Sequence, residues 1–525
     1  TITNCYNTGS VTSNNISSGS SSVGGVAGDN AGTITNCYNT GSVTSNNISS
    51  GSSSVGGVTG YNDKETISNC YYCKDIATGV KGAINGSDTE NCKGLTVEQM
   101  TGANALENMT FTSEAGTWMT LANETKVDEN NSIDCYLPQL SVFVSDPANP
   151  QPEEMPTITC YQSSDGIVVY NPIFITNAEQ LQAINNNLSG VYILANGIDM
   201  TGFTFTPIGS DKAPFNGIFD GNSYEVQNLT IDNSTGDYQG LFGYVGVDAQ
   251  VKNVGVTGSI KGDYQVGGIA GYNKGMITSC YSTVAVTGAN YIGGVAGYNY
   301  GTLTSCYNTG SVTSTDNGVG GVAGNNKGTI TNCYNTGSVT ARTMYAGGIV
   351  SYNYGAITNC YNIGSVYGSY HIGGVVGDNN QGNISNCYYC TDTSGNAKGA
   401  FNGIDTKSCK GLTGEKMTGA NALENMVFTG DVGTWVTLAN SEPDEEGMMN
   451  FYFPQLSVFV SDPANPQPEE MPSKTGYQMS DGTFVPAAPT FITNAEELQE
   501  INNNLSGVYM LANDIDMTGF TFTPI

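Results

Sequence analysis

Cysteine is the residue type of this chain whose chemistry is most open to interpretation, and there are 14 of them. Five recur at intervals of 26 or 27 residues, each directly before a tyrosine: Cys280, Cys306, Cys333, Cys360 and Cys387. Cysteine thiolates bind metals or form disulfides, whereas an unreactive cysteine packs as a small apolar side chain. A column of buried side chains needs one apolar side chain at the same place in every repeat, and the five cysteines meet this requirement. The spacing therefore favours a buried cysteine ladder over metal or redox chemistry.

A second group of cysteines stands in the phrase Cys-Tyr-Tyr-Cys, at 70–73 and again at 387–390. Each phrase is followed 19 residues later by one more cysteine, Cys92 or Cys409. Cys-x-x-Cys resembles half of a zinc site, but a fourth ligand is missing because no histidine stands nearby. We therefore predict no metal and no cofactor here. The disulfides that we predict instead are Cys73–Cys92 and Cys390–Cys409.

Two further cysteines, Cys135 and Cys160, differ between the internal copies of this chain. The aligned positions of the second copy are Phe451 and Gly476, so both cysteines are lost together. Paired loss predicts a Cys135–Cys160 disulfide in the first copy and none in the second. Disulfides are typical of an extracellular protein.

The tyrosines that follow the repeated cysteines should form a column of their own. Two interpretations remain open for this column, a platform on which sugar rings stack or an aromatic ladder that stabilises a parallel sheet. The sequence favours the ladder. The residues concerned are Tyr281, Tyr307, Tyr334 and Tyr361.

Catalytic residues are scarce in this chain. His371 is the one histidine, so the His-Glu-x-x-His motif of zinc peptidases is missing. Glycan-cleaving enzymes need clustered carboxylates, yet residues 255–385 hold only Asp263, Asp316 and Asp378 as acids, at different points of the repeat. We therefore predict that the chain is not an enzyme.

The overall charge is strongly negative, −30, although only 12% of the residues are charged. Nucleic acids and anionic lipids bind to basic patches, so neither is an expected partner. We find no apolar run of 18 residues, which predicts no membrane insertion in this segment. Because the first residue lies inside a repeat, we expect the sequence to be part of something longer.

The elements that must position these residues follow from the short repeat. Phrases such as "GTITNCYNTGSVT" and "VGGVAGNN" are rich in β-branched residues and are separated by Asn and Gly turns. A period of about 27 residues with about three strands fits one coil of a parallel β-helix. Successive coils would then stack like residues about 4.8 Å apart.

A longer repeat of about 317 residues divides the chain into modules. The phrase "PQLSVFVSDPANPQPEEMP" occurs at 138–156 and again at 454–472. A helix with a capping box, Thr176 with Glu179, should open each module, and a second helical segment should close it at 95–109 and 412–426. The predicted parts are a first module end at 1–140, a Pro-rich acidic linker at 141–172, a complete module at 173–456, a second linker at 457–488 and a third module start at 489–525.

The phrases "GLFGYV" at 240–245, "VGGIAGYN" at 266–273 and "NCYNTGSV" at 332–339 together resemble the GLUG-motif repeats of large bacterial surface and secreted proteins. The resemblance implies an all-β fold, a right-handed parallel β-helix with short capping helices at the module ends. It also implies display on the bacterial surface or in the extracellular space, with roles in adhesion or surface architecture. Some members of that group are IgA-cleaving zinc peptidases whose catalytic part is separate from the repeats.

The function that these observations predict is structural, a rod, filament or adhesin shaft made of tandem modules. Its expected partners are neighbouring modules or other copies of the chain. The alternative is an adhesin that binds host or environmental glycans through its surface tyrosines.

Overall fold

A computed structural model of the chain forms two compact units, Thr1–Ile173 and Phe174–Ile525. The first boundary lies one residue from the predicted start of the complete module at 173. The residues that the structure describes are 1–13, 21–45, 53–63, 66–77, 80–83, 91–103, 105–111, 118–123, 132–162, 168–170, 172–394, 398–400, 408–420, 422–429, 434–444, 448–478, 484–485, 490–503, 509–511 and 514–525.

The second unit is dominated by two long parallel sheets. The nine-stranded sheet contains Ile173–Ile175, Val191–Leu194, Ile218–Asp220, Gln250–Lys252, Met276–Thr278, Thr302–Thr304, Thr329–Thr331, Ala356–Thr358 and Asn383–Ser385. The 22-stranded sheet contains Ile198–Asp199, Glu225–Asp232, Phe242–Val245, Gly255–Lys261, Tyr264–Gly267, Ala270–Asn273, Tyr281–Ser282, Ala285–Gly293, Ala296–Asn299, Tyr307–Asn308, Val312–Gly320, Ala323–Asn326, Tyr334–Asn335, Val339–Ala341, Met344–Gly347, Val350–Asn353, Tyr361–Asn362, Val366–Tyr367, Tyr370–Asn379, Cys387–Cys390, Lys398–Ala400 and Cys409–Leu412.

Shorter elements complete the second unit. Its further strands are Trp435–Val436, Met448–Tyr452, Gln455–Leu456, Ser473–Gln478, Phe484–Val485, Thr490–Ile492 and Tyr509–Leu511. Its α-helices are Ala178–Ala183, Gly414–Met417, Ala422–Asn425 and Ala495–Glu500, and its 3-10 helices are Ile184–Asn186, Ser457–Phe459, Pro468–Glu470 and Ile501–Asn503.

The first unit repeats the closing part of this arrangement. Its strands are Ile2–Thr3, Tyr6–Asn7, Val11–Ser13, Ser21–Gly24, Ala27–Asn30, Ile34–Thr35, Tyr38–Asn39, Val43–Ser45, Ser53–Asn62, Ile67–Ser68, Cys70–Cys73, Lys81–Ala83, Cys92–Leu95, Trp118–Met119, Ser132–Tyr136, Gln139–Leu140, Thr157–Gln162 and Val168–Tyr170. Its helices are Val97–Met100 and Ala105–Asn108, with 3-10 turns at Ser141–Phe143 and Pro152–Glu154.

The coils of the second unit pair in register with their copies one period further along the chain. Ile330 pairs with Leu303 on one side and with Ile357 on the other, and all three side chains are buried in one core. The prediction of a parallel β-solenoid is therefore confirmed. A single coil holds more strands than the three expected, because Asn and Gly corners divide residues 329–353 into five short strands.

A left-handed corner explains why Asn or Ser stands before each cysteine of the repeat. The φ angles of Ser279, Asn332 and Asn386 are 52°, 52° and 49°, in the left-handed region that Asn adopts more readily than most residues. This corner turns the next residue, the cysteine, into the core. A second tight corner lies at Gly321, where a Cβ atom would overlap the carbonyl oxygen of Gly348 and the side chain of Asn335.

Buried asparagines form continuous hydrogen-bonded ladders along the solenoid. In one of them each amide donates to the side-chain oxygen of the next member at 2.8–2.9 Å, through Asn273, Asn299, Asn326, Asn353 and Asn379. A second ladder joins Asn308, Asn335 and Asn362 at 2.8 Å. A buried amide needs such partners. The ladders therefore hold successive coils in one register.

The helix that opens the complete module begins one residue later than the capping box predicted. Its N-cap is Asn177, whose side chain accepts from the backbone N–H of Gln180 at 2.9 Å. Thr176 lies outside the helix and its backbone N–H donates to the Gln180 side chain. The predicted box of Thr176 with Glu179 was therefore wrong, because the Asn side chain reaches the N3 amide that Thr176 cannot reach.

Residues 141–162 of the segment predicted as a linker at 141–172 are folded. Residues Thr157–Gln162 pair antiparallel with Ser132–Tyr136, and the Glu154 carboxylate accepts from the backbone N–H groups of Ser145 and Gln151. Residues 457–478 of the second predicted linker, 457–488, are built in the same way, since Glu470 accepts from Ser461 and Gln467. These residues therefore pack on the module that they follow, whereas residues 163–167, 171, 479–483 and 486–488 of the two predicted linkers lie outside the described part of the chain. Within the described part of the chain, no helix has the length and apolar character needed to cross a membrane.

Candidate functional site

The tyrosines that follow the cysteines form one stacked column in the second unit. The ring centroids of Tyr281 and Tyr307 are 5.0 Å apart, those of Tyr307 and Tyr334 4.8 Å, and those of Tyr334 and Tyr361 5.0 Å. Neighbouring rings are within 6° of parallel. Each ring face inside the column therefore rests on another tyrosine.

The outer edge of this column is covered by the segment that closes the module. The Tyr361 hydroxyl donates to the carbonyl oxygen of Pro454 at 2.5 Å, and the Tyr334 hydroxyl donates to the Gln455 side chain at 2.9 Å. Trp435 packs against Tyr361, with 5.5 Å between ring centroids. We call the covering residues 408–478, so far as the structure describes them, the cap.

Burial under the cap corrects the glycan-stacking interpretation for two of the four tyrosines. Tyr334 is 1% exposed and Tyr361 is 0% exposed, so no sugar can reach either ring. Tyr281 and Tyr307 are half-buried, and Phe459 contacts both rings edge-on. These two rings line a cavity together with Phe459, and glycan stacking on them stays a prediction. The cap could not be foreseen from the repeat, because it joins residues 93 and 121 positions apart.

The first unit carries the same arrangement over a shorter column. Tyr6 and Tyr38 stack with centroids 5.2 Å apart, and the Tyr38 hydroxyl donates to the carbonyl oxygen of Pro138 at 2.6 Å. Trp118 lies against Tyr38 at 5.6 Å and stacks on Phe111 at 4.5 Å. We call residues 91–162, so far as the structure describes them, the first cap, and residues 408–478 the second cap. Each cap holds one of the two tryptophans of the chain.

The five repeated cysteines lie inside the solenoid. Cys280, Cys306, Cys333, Cys360 and Cys387 are all fully buried in the same core. Each thiol donates to the carbonyl oxygen two residues earlier at 3.2–3.3 Å. Burial raises the pKa of Cys280, Cys333 and Cys360 well above the ordinary thiol value. Such thiols are neither nucleophiles nor ready metal ligands.

The predicted Cys73–Cys92 disulfide does not fit the strand register. Cys92 pairs with Cys70, and Cys73 pairs with Leu95. Cys73 is therefore three positions along the strand from the partner of Cys92, on the opposite face of the sheet. The side chains of Cys73 and Cys92 also belong to two different buried clusters. The second unit repeats this separation, since Cys409 pairs with Cys387 while Cys390 pairs with Leu412. Both predicted pairings are corrected for the same reason, that spacing along the chain does not reveal which strand position lies opposite.

Cys135 and Cys160, by contrast, are brought together. They lie on adjacent antiparallel strands, where Cys135 faces Ile158 and Cys160 faces Ile133, so the two thiols are diagonal neighbours on one buried face. A hydrogen bond between the thiols lowers the pKa of Cys135 and raises that of Cys160. Cys73 belongs to the same buried cluster. All three are thiols in this structure, so the Cys135–Cys160 disulfide stays a prediction.

A second aromatic surface lies on another side of the coils and was missed by our sequence reading. Tyr244, Tyr272 and Tyr298 stack at centroid distances of 4.5 and 5.0 Å. Tyr238 and Tyr291 contact this stack edge-on. We call it the aromatic face. Its signal in the sequence is the repeated phrase Gly-Tyr-Asn.

One column of the aromatic face alternates between lysine and tyrosine. Four successive coils place Lys274, Tyr300, Lys327 and Tyr354 directly after the paired asparagines of the ladder. The Lys327 ammonium lies 5.7, 5.5 and 5.6 Å from the ring centroids of Tyr298, Tyr300 and Tyr354. The Lys274 ammonium lies 5.5 Å from the ring of Tyr244 and 5.8 Å from that of Tyr272. These are cation–π distances.

Among the residues that the structure describes, no group of three or more His, Cys, Asp and Glu side chains could hold a metal ion. His371 packs its ring against Tyr345, with 4.4 Å between centroids. Asp316 accepts from the Asn317 side chain.

Three segments of the chain match the family model of the GLUG motif, residues 262–287, 288–313 and 343–367. A protein of Evansella cellulosilytica, provisionally named a Gly-rich membrane protein, is 33% identical over 119 residues. Halomucin of Haloquadratum walsbyi is 27% identical over 245 residues. These matches cover 20% and 41% of this chain, but only 14% and 3% of the two relatives.

One solved structure, from Bacteroides ovatus and provisionally described as an immunoglobulin A1 protease, aligns with a TM-score of 0.42 and 22% identity. The alignment covers 55% of this chain and 92% of that one. Each GLUG match has the length of one coil and lies on the strands that carry the cysteine and tyrosine columns. The chain therefore carries GLUG motifs, and the coils that hold them belong to a parallel β-solenoid.

Proposed function

We propose that this chain is a structural part of an extracellular or cell-surface protein, a shaft made of capped solenoid modules in tandem, and that it is not an enzyme. The single observation that carries the proposal is that equivalent side chains stack in unbroken columns and that each column ends under a cap. This design makes a stiff element of adjustable length.

The stiffness comes from the ladders. Backbone hydrogen bonds join every pair of neighbouring coils, and buried Asn amides add a side-chain bond at the same place. Nine strands at about 4.8 Å spacing extend the second solenoid by about 40 Å along its own axis. A bend would break several of these bonds at once. The solenoid therefore suits a load-bearing or spacing role.

The caps explain how such modules can follow one another without uncontrolled growth. An open parallel sheet offers unpaired N–H and C=O groups to any passing strand. After the last solenoid strands, the chain folds into the short helices and antiparallel strands of the cap and turns back over the tyrosine column. Neighbouring modules, or other copies of the chain, are the partners that this architecture is built to accept.

The relatives support the proposed location. One is named a membrane protein and the other a halomucin, and both are much longer than the matched segment. An array of repeats inside a very long protein is what a surface shaft requires. Low charge density apart from acidic ends, and a net charge of −30, would keep such an array soluble and separate.

Deletion of one whole module tests the proposal. Residues 141–456 can be removed without leaving a new junction sequence, because the segments that begin at Ser141 and Ser457 are identical. We expect the shortened protein to fold and to be displayed, and its projections from the cell surface should be shorter by one module in electron micrographs. Projections of unchanged length would contradict a shaft role.

Two deletions inside the solenoid provide a matched pair of variants, one that removes a whole coil and one that removes part of a coil. Deletion of residues 326–352 removes one coil in register and should leave every ladder intact, whereas deletion of residues 326–338 puts all later columns out of register. The first variant should keep a cooperative thermal transition and the second should lose it. Equal loss in both variants would show that the coils are not interchangeable units.

A further inference from the structure

We propose that the alternating lysine–tyrosine column of the aromatic face binds a linear anionic polysaccharide, one that carries a charge on every second sugar. The column consists of Lys274, Tyr300, Lys327 and Tyr354, one residue from each of four successive coils. The proposal goes beyond the shaft function and does not depend on it, because a shaft needs no ligand.

Accessibility is the first requirement, and the column meets it. Tyr300 is 51% exposed and Tyr354 is 43% exposed. Lys274 and Lys327 are also exposed, and neither ammonium forms an ion pair with any carboxylate that the structure describes. Two lysines without a carboxylate partner among the described residues therefore lie in one column of a chain in which acids outnumber bases by 46 to 16.

The orientation of the rings decides what kind of ligand fits. Tyr298 and Tyr300 are 12° from parallel with each other, and Tyr298 stacks on Tyr272 as well. Tyr298 and Tyr300 contact each other, and the Lys327 ammonium lies at cation–π distance from both rings. An aromatic edge carries positive partial charge. Ring edges and ammonium groups together favour an anionic ligand over a neutral one.

The spacing along the column suits a polysaccharide. Neighbouring coils are about 4.8 Å apart, which is close to the length of one pyranose unit in an extended chain. Lys274 and Lys327 are two coils apart, about 10 Å, so carboxylate or sulfate groups on alternate sugars would meet successive lysines. Tyr300 and Tyr354 would then lie opposite the uncharged sugars and offer hydroxyl groups to them.

A single-stranded nucleic acid suits the column less well. Proteins that bind such strands stack the bases on aromatic faces, and here Tyr298 and Tyr300 already contact each other and the Lys327 ammonium. Two lysines are also few for a polymer with a phosphate at every unit. We therefore infer a polysaccharide, and a nucleic acid becomes one outcome of the test.

The experiment uses the full chain in affinity electrophoresis, with hyaluronan as the alternately charged polysaccharide. We expect hyaluronan to slow migration, neutral dextran to have no effect, and the effect of hyaluronan to weaken as salt is raised. Single-stranded DNA serves as a further probe. Equal retardation by dextran would show that charge does not carry the recognition, and stronger retardation by the DNA would replace the proposed ligand class.

Matched variants locate the site. Lys274→Gln with Lys327→Gln should weaken hyaluronan binding by about tenfold, since each lysine contributes an exposed charge contact. Lys93→Gln with Lys410→Gln changes the net charge equally at exposed positions that do not belong to this column and should leave binding unchanged. Tyr300→Phe with Tyr354→Phe should produce a smaller loss because only hydroxyls are removed. Equal loss in the two lysine pairs, or no binding by the unaltered chain, would overturn the proposal, and thermal melting by circular dichroism checks that every variant is folded.

Discussion

The two copies of the capped end of the solenoid share the contacts between the tyrosine column and the cap. They differ in the side chains inside the cap and on the outside of the coils. In both copies a tyrosine hydroxyl donates to a proline carbonyl oxygen of the cap, Tyr38 to Pro138 and Tyr361 to Pro454. In both, a tryptophan stacks on a phenylalanine, at 4.5 Å in the first unit and 4.6 Å in the second. The cap therefore closes the solenoid through the same contacts in both units.

The interior of the cap is the first place where the copies differ. The first cap holds Cys135 and Cys160 as diagonal neighbours, with Cys73 in the same cluster. The second cap has Phe451 and Gly476 at the two aligned positions, and Phe451 is fully buried. One copy fills the space with a large ring, and the other leaves two thiols close enough to be oxidised.

Side chains outside the core of the coils are the second place where they differ. In the second unit, Tyr345 contacts Tyr352, Tyr352 contacts Tyr291 of the aromatic face, and Tyr354 belongs to the lysine–tyrosine column. The aligned residues of the first unit are Ser22, Asp29 and Ala31. The difference teaches that positions facing the core preserve the fold, while side chains outside the core can be exchanged without disturbing it.

Removal of the tyrosine that anchors the cap should have the largest effect on the shared frame. Tyr361→Ala deletes a fully buried ring and its hydrogen bond and should destabilise the second cap by about 3–5 kcal/mol. Tyr38→Ala should do the same to the first cap. Trp435 fluorescence in a Trp118→Phe background, followed through urea unfolding, reports the second cap, and the reverse background reports the first.

The exposed Tyr367→Ala variant controls for loss of a tyrosine as such and should change neither transition. Tyr361→Phe keeps the ring and should cost about 1 kcal/mol, the value of one hydrogen bond. If Tyr361→Ala left the Trp435 transition in place, the cap would not depend on the tyrosine column.

Oxidation should separate the two caps. A Cys135–Cys160 disulfide would close a loop of 26 residues and should stabilise the first cap by about 3 kcal/mol. Reducing agent should therefore lower the Trp118 transition and leave the Trp435 transition unchanged. Peptide mass spectrometry under non-reducing conditions tests the link directly, and recovery of both cysteines as free thiols after oxidative refolding would rule it out.

Interruption of an asparagine ladder should have a moderate effect that depends on ladder length. Asn326→Ala removes the middle of a five-membered ladder and leaves the amide of Asn299 and the oxygen of Asn353 without their partner, which should cost about 1–3 kcal/mol. Asn30→Ala breaks a ladder in which the structure describes one link, to Asn62, and should cost less. Urea unfolding of both variants measures the difference. Equal costs would mean that the bonds of a ladder do not support one another.

The smallest expected effect is an alkaline loss of stability common to both caps. Burial raises the pKa of Tyr38, Tyr334 and Tyr361 in the folded chain above the ordinary value of 10.0. Their contribution to the stability of the folded chain is therefore complete below pH 10 and is lost above it. The reason is that these tyrosines ionise at a lower pH in the unfolded chain than in the folded chain. The loss is about 1.4 kcal/mol per pH unit for each such tyrosine.

Melting temperatures measured between pH 8 and pH 11 check the direction of this effect. Tyr361→Phe should reduce the slope of stability against pH for the second cap by the contribution of one tyrosine. Stability that rises above pH 10 would contradict the burial of these hydroxyls.

Much of the fold was predictable because each coil of a solenoid contacts mainly the coils one period before and one period after it in the sequence. Ile330 meets its partners one period away on either side, so the period alone states the contact. The same logic predicted the order of the cysteine and tyrosine columns. It failed for Cys92, which pairs with Cys70 because the returning strand lies in a register that the 19-residue spacing does not state.

The sequence by itself determined the repeat, the side chains that stack in columns and the apolar interior, because each strand is paired with its own copy. Only the tertiary structure decided which side of the coils is covered. Tyr361 is buried by Pro454, 93 residues away and outside any repeat within the module, while Tyr300 remains exposed. Contacts of that range depend on where a non-repeating segment comes to rest on the solenoid, and no periodicity encodes that position.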